Sequence, residues 1–329
     1  MLKIRSTTFT ALISVTALNA CAGLNTRLPD IAAPDLAAET QFQETQALNK
    51  IDANGAKYLN VGWPILKANA ELCPKIRNSI GIRTHTLKAY SKRLRTSAGR
   101  VLGADETPRI FHVVKGSPAD KAGLKRGDVI LGNDGEPAKF GSESWKEDLA
   151  NKQIKIRRGT EEMSVNITPE MVCDYNLVLS NSSAINAFAD GRNITMTTGM
   201  MDFVETDDEL ALIIGHELAH NTMGHIRKAI TNYVITLGGT RYTRPFESEA
   251  DYVGLYYLTR AGYSPDNVDN FWRRLGTVSH KSINRAKTHP TSPDRYLRIK
   301  AAREEIRAKQ DAGVSLFPNF IAGSGSSGS

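Results

Sequence analysis

Residues 206–220 read Thr206-Asp207-Asp208-Glu209-Leu210-Ala211-Leu212-Ile213-Ile214-Gly215-His216-Glu217-Leu218-Ala219-His220. Thr206 with Glu209 three positions later forms a capping box, and the apolar run that follows predicts a helix starting at that cap. Within it, His216-Glu217-Leu218-Ala219-His220 is the pattern H-E-x-x-H. Side chains four apart on a helix lie one above the other, so both imidazoles face one point while Glu217 sits on the flank. Two histidines converging beside a carboxylate make a zinc-site pattern, with the carboxylate as general base. The competing reading is a chance surface pattern on a solvated helix.

A catalytic zinc takes three protein ligands and keeps one position open, so a further donor must come from elsewhere. Glu247-Ser248-Glu249-Ala250-Asp251 lies in a second helix, opened by Pro245 and closed by Gly262. Glu247 shares the apolar face of Asp251, Gly254, Leu255 and Leu258, whereas Glu249 falls with Tyr252, Tyr256 and Arg260. The expected metal set is therefore His216, His220 and Glu247, holding one zinc per chain. Asp251, one turn on, is placed to accept the free ring N–H of a ligating histidine. His225 competes for the third position, but nine residues beyond His216 it is expected on the opposite side of the helix. It also misses H-E-x-x-H-x-x-G-x-x-H by one residue.

Together, His216 to His220, Glu247-x-x-x-Asp251, the strand Asn186-Ala187-Phe188-Ala189, and His289-Pro290 with Arg295 resemble metallopeptidase family 48. These are gluzincins that include HtpX-like heat-shock proteases and CAAX prenyl proteases, and the resemblance covers about residues 174–307. It implies a zinc endopeptidase in which Glu217 activates water and protein substrates lie extended along Asn186, Ala187, Phe188 and Ala189. It also puts His289 and Arg295 beside the metal. Three roles stay open for His289: donor to the oxyanion, occupant of the open zinc position, or cap of the last helix. The chain lacks the family's hydrophobic spans and so resembles its periplasmic lipoprotein branch, which carries a PDZ domain. Quality control of envelope proteins is the function this implies. A rival reading is a peptide-binding or chaperone-like lipoprotein with a vestigial site, and the intact Glu217 argues against it.

Upstream, short β runs and turns occupy about residues 79–170. Gly116-Ser117-Pro118-Ala119-Asp120-Lys121-Ala122-Gly123-Leu124-Lys125-Arg126-Gly127-Asp128-Val129-Ile130 resembles bacterial PDZ domains. It implies a short helix entered at Ser117-Pro118, and then a strand. Such a groove takes a C-terminal peptide by strand addition and binds its carboxylate through backbone amides. Either Leu102-Gly103 or Ile80-Gly81-Ile82 supplies that loop, and a plain spacer is the alternative role. Downstream, Asp190-Gly191 predicts a hairpin between Ala184–Ala189 and Asn193–Thr197.

The N-terminus begins with Lys3 and Arg5, continues as an apolar run too short to span a bilayer, and reaches Cys21. Leu18-Asn19-Ala20-Cys21 resembles a lipoprotein signal, with Asn19 a departure from the usual pattern. It implies export, lipidation at Cys21 and anchoring at the periplasmic face of a membrane, the outer one by the Ala22 that follows; cleavage at a nearby small residue without lipidation is the alternative. Cys73 and Cys173 remain and are expected to pair in an oxidising compartment, the alternative being two buried thiols. A net charge of +7 spread over 329 residues leaves no footprint for nucleic acid.

The expected architecture is α+β. Residues 1–20 form a signal, 21–78 a tether and helical segment, and 79–170 a β-rich PDZ-like domain. Residues 171–312 form a mainly helical gluzincin zinc-protease domain with a small antiparallel edge sheet, and 313–329 a flexible tail. Pro64 is expected to interrupt any helix of the N-terminal segment.

Overall fold

Leu48, Ile51, Gly55, Tyr58, Gly62 and Ile65 recur at alternating three- and four-residue intervals, the spacing of one helix face. In the computed structural model, which describes residues 28–228, 231, 244–266, 268–278 and 293–322, they lie along α1 (Ala33–Ala68). Pro64 lies inside this helix and does not end it. A proline costs about 3 kcal/mol in a helix interior. Burial of Trp63, Ile65 and Leu66 offsets that, at roughly 1.5–3 kcal/mol for each fully buried side chain. The expected interruption at Pro64 is corrected accordingly: the helical segment runs on through it, and from Leu48 onward it is a core element.

Along the next hundred residues run β1 (Ile76–Ser79), β2 (Ile82–His85), α2 (Arg95–Leu102), β3 (Arg109–Val113) and α3 (Pro118–Lys121). They are followed by β4 (Val129–Leu131), α4 (Glu143–Ala150), β5 (Gln153–Arg158), β6 (Glu161–Asn166) and β7 (Glu170–Cys173). Strands β4, β5 and β6 form an antiparallel meander, and β2 pairs antiparallel with β3. Ser117 caps α3 by accepting the Asp120 N–H. Ile80, Ile110, Ile130, Trp145, Ile154 and Ile156 belong to a core of this region's own. Leu48 of α1 reaches a neighbouring cluster with Phe111, Ala98 and Leu102. Strand β1 closes back on β7, where a disulfide joins Cys73 to Cys173 across a Cα separation of 5.5 Å.

The remaining described elements are β8 (Asn176–Ser180), β9 (Ala187–Ala189), β10 (Asn193–Thr197), α5 (Thr198–Phe203) and α6 (Asp207–Thr222). After them come α7 (Arg244–Arg260), α8 (Asp269–Val278), α9 (Pro293–Asp311) and α10 (Asn319–Ala322). The three strands take the order β8-β10-β9, with β9 antiparallel and β8 parallel to β10. This mixed sheet replaces the expected antiparallel one. The predicted hairpin places β10 inside, so β8 meets β10 only after a crossover, a long-range pairing that local alternation does not encode.

Every residue from Glu209 to Asn221 in α6 is buried, which is why the helix is apolar nearly all round. Its start is held from both sides. Thr206 accepts the Glu209 N–H, while the Glu209 carboxylate accepts the Glu205 N–H and a bidentate Arg274 from α8 at 2.6 and 2.7 Å. Tyr58, Trp63, Ile65 and Leu66 of α1 share one core with α6 and α7. The flexible tail expected from 313 is also corrected in part: Arg260 donates to the Leu316 carbonyl and lies over the Phe317 ring at 4.8 Å, and Lys309 donates to the Phe317 carbonyl. No helix among the described residues is long and apolar enough to cross a membrane.

Candidate metal centre

Helix α6 carries His216 and His220 one turn apart, and α7 packs against it with Glu247 in its first turn. The Nε2 atoms of the two histidines stand 3.1 Å apart. Glu247 offers one carboxylate oxygen 3.5 Å from His216 Nε2 and the other 3.5 Å from His220 Nε2. One donor atom from each of the three lies within 4.8 Å of the others, and all three residues are buried. Nitrogen and oxygen ligands about 2.0–2.1 Å from a tetrahedral zinc are separated by about 3.3 Å. The donor set therefore fits a zinc ion in both chemistry and spacing.

A second layer holds these donors. His216 Nδ1 lies 2.9 Å from Asp251 Oδ1. Arg295, from α9, grips Asp251 with Nε at 2.5 Å and Nη2 at 2.6 Å, places Nη1 3.7 Å from Glu247, and stacks over Trp272 at 4.0 Å. Trp272 in turn meets the His216 ring edge-on at 5.6 Å. Burial pushes the His216 imidazole down, but the carboxylates of Asp251 and Glu247 outweigh it and hold it up at about 9. Burial alone would raise Asp251, yet the charge and hydrogen bonds of Arg295 keep its carboxyl below the usual range. Glu217 is buried beside this cluster, close enough for its charge to act on Arg295 and Tyr58.

The hairpin of β9 and β10 is fastened to the same helix. Asn221, directly after His220, accepts the Gly191 N–H at 2.7 Å and donates to the Asn193 carbonyl at 3.1 Å. Asn186 sits at the mouth of the hairpin, its N–H donating to Thr197 Oγ1 and its carbonyl accepting the Thr197 N–H. Ala187 is buried, Phe188 exposed and Ala189 half-buried on β9, which with β8 forms the two edges of this sheet among the described residues. Cys21 and His289 lie outside the described residues.

His225 departs from its expected place. The helix stops at Thr222, and Gly224 takes a positive φ of 68°, so helical arithmetic counted from His216 does not extend to residue 225. The turn brings His225 back: its Nδ1 lies 3.0 Å from His220 Nδ1 and its Nε2 2.8 Å from Glu249 Oε2. The Met223-Gly224 pair is the sequence signal for this turn. Trp272 and Asn221 also escaped the motif reading. The i, i+1, i+4, i+7 spacing of Phe271, Trp272, Leu275 and Val278 marks the helix that carries Trp272.

The profile of Peptidase family M48 matches residues 150–238 and 229–306. The mitochondrial metalloendopeptidase OMA1 of Arabidopsis thaliana is 28% identical over 145 residues, covering 37% of this chain and 30% of that protein. The beta-barrel assembly-enhancing protease of Escherichia coli (strain K12) is 23% identical over 171 residues, covering 40% of this chain and 35% of that protein. The chain thus spans about a third of the length of these curated relatives. Among solved structures, the HtrA3 PDZ domain bound to a phage-derived ligand (FGRWV) matches with 24% identity and a TM-score of 0.21, covering 30% of this chain and 89% of that one.

Proposed function

We propose that this chain, a member of peptidase family M48, is a zinc-dependent endopeptidase of the bacterial envelope. The observation that carries the reading is the convergence of His216, His220 and Glu247 on one buried point of α6 and α7, with Glu217 beside it. When bound, zinc supplies Lewis acidity toward water and the scissile carbonyl.

The chain's own groups supply the rest. Glu217 accepts the proton of the attacking water and returns it to the leaving amine. Asp251 holds the His216 ring with Nε2 toward Glu247, and Arg295 keeps Asp251 ionised and in place. Among the described residues β9 is an edge strand of its sheet, so a substrate adds there as an extended strand and is held chiefly by main-chain hydrogen bonds. Such binding tolerates varied side chains, as degradation of misfolded protein requires.

A cavity of about 770 Å³ between β2 and α4, lined by Ile80, Ile82, Trp145 and Leu149 together with Trp63 and Leu177, supports a second peptide contact at the PDZ-like region. Lipidation at Cys21 would keep the enzyme at the membrane. The name of the E. coli relative ties that protein to β-barrel assembly, and an envelope substrate for this chain is consistent with it. The deciding experiment is Glu217→Gln, which should retain zinc and fold while losing peptide-bond hydrolysis. Proteolysis at the wild-type rate by that variant would refute the assignment. Hydrolysis absent from the zinc-loaded wild type would favour a peptide-binding role.

A further inference from the structure

The two histidines of α6 are supported differently. Behind His216 stands a carboxylate, Asp251. Behind His220 stands another imidazole: His225 Nδ1 faces His220 Nδ1 at 3.0 Å, and beyond it His225 Nε2 meets Glu249 Oε2 at 2.8 Å. The His225 ring is 2% exposed and lies stacked on Phe246 with centroids 4.7 Å apart and planes 18° from parallel. Its orientation is thus fixed by a contact independent of both hydrogen bonds.

We infer that His225 is a positioning residue which, oriented by Glu249, holds His220 in the tautomer and rotation that point a bare Nε2 at Glu247 and His216. The inference rests on the zinc site proposed above. A ligating Nε2 carries no proton, so neutral His220 carries its proton on Nδ1. That N–H needs an acceptor, and His225 Nδ1 lies 3.0 Å from its nitrogen. If Nδ1 accepts, His225 carries its own proton on Nε2, where Glu249 is an acceptor. Each donor in the chain from His220 through His225 to Glu249 then meets an acceptor, in one sense only. The reverse sense would put a proton on His220 Nε2, aimed at Glu247, and block ligation. Glu249 thus acts at one remove, through a ring, on the site that Glu247 enters directly. Outer partners of this kind change metal affinity by about 10- to 100-fold when removed.

The test compares His225→Phe, which keeps the stack on Phe246 but removes the acceptor, with His225→Asn, which restores an acceptor near the same place. The readouts are zinc affinity by chelator competition on the full chain and the melting temperature of the metal-free protein. Expected are a zinc affinity at least tenfold weaker for His225→Phe, recovery to within a few-fold of wild type for His225→Asn, and unchanged metal-free melting temperatures. Glu249→Ala reads the same chain with His225 intact and should weaken zinc several-fold, which keeps the idea testable if His225→Phe does not fold. Wild-type affinity in both His225→Phe and Glu249→Ala would overturn the inference while leaving the zinc site standing. Equal loss in His225→Phe and His225→Asn with lowered metal-free melting would overturn it in favour of packing. A wild-type protein that binds no zinc would overturn the metal site itself, and this inference with it.

Discussion

Gly254 lies directly against Gly215, backbone on backbone: a Cβ built on Gly215 would come 2.7 Å from the Gly254 carbonyl oxygen, and one built on Gly254 would come 2.8 Å from the His216 amide nitrogen. The missing side chains let α7 approach α6 closely enough for Glu247 to reach the two histidines. Neither neighbour is a flexible side chain that could give way. Gly254→Ala should therefore push the helices apart and cost about 1–3 kcal/mol, the usual range for overpacking. It should also lower zinc affinity, as measured by thermal melting with and without metal. A variant with wild-type stability and zinc binding would show that the helices can part without harm to the site.

Glu247→Ala should lose zinc far more completely than Glu249→Ala, since the first removes a donor and the second only a support two links away. Metal analysis after dialysis against a weak chelator separates the two. Equal zinc content would show that the carboxylates had been assigned the wrong ranks.

Arg295→Met should destabilise the metal-free protein by about 3–5 kcal/mol, because it leaves Asp251 as a buried carboxylate without its bidentate partner. Adding Asp251→Asn should return part of that loss, as chemical denaturation of both variants would reveal. A double variant less stable than Arg295→Met would contradict the pairing.

His85, hydrogen-bonded to Tyr90 and stacked on Phe111, gives a pH dependence of its own. Burial, with Arg126 and His112 adding to it, pushes its imidazole down to about 4 from an ordinary value near 6.5. Between those values the unfolded chain binds the proton that the folded chain refuses, so stability rises with pH from about 4 to 6.5 and is then level for this group. His85→Gln should flatten that rise in a denaturation series. An unchanged slope would mean that other groups set it.

Reduction of the Cys73–Cys173 bridge should lower stability. It closes a sequence separation of 100 residues, for which the chain-entropy account gives about 4–5 kcal/mol. Peptide mapping under non-reducing conditions tests the pairing, and melting with and without reductant tests its contribution.

Local features of the sequence carried much of the reading. The cap at Thr206 and the two histidines one turn apart depend only on helix geometry, as does the inward face that Glu247 shares with Gly254. The strands around Gly159 and the helix entered at Ser117 are likewise marked by turn chemistry a few residues away. What escaped depends on distant parts of the chain or on where an element ends. His225 was misplaced because Gly224 stops the helix before it. The parallel pairing of β8 with β10 leaves no trace in either strand alone. The inward stripe of α1 includes Gly55 and Gly62, which offer no apolar side chain, and the helix carries Pro64, so its depth in the core emerges only once α6 and β8 are packed on it.

Helix α1 enters one cluster through Leu48 and another through Tyr58 and Ile65, so its rise of 1.5 Å per residue sets the spacing between the two at about 15–25 Å. A rod gripped at two places has a fixed phase as well as a fixed length. One residue inserted between Leu48 and Tyr58 would turn one gripping face about 100° away from the other. The stretch that reads most weakly as sequence is thus among those least able to change length, whereas surface turns such as the one at Gly159 have room to grow.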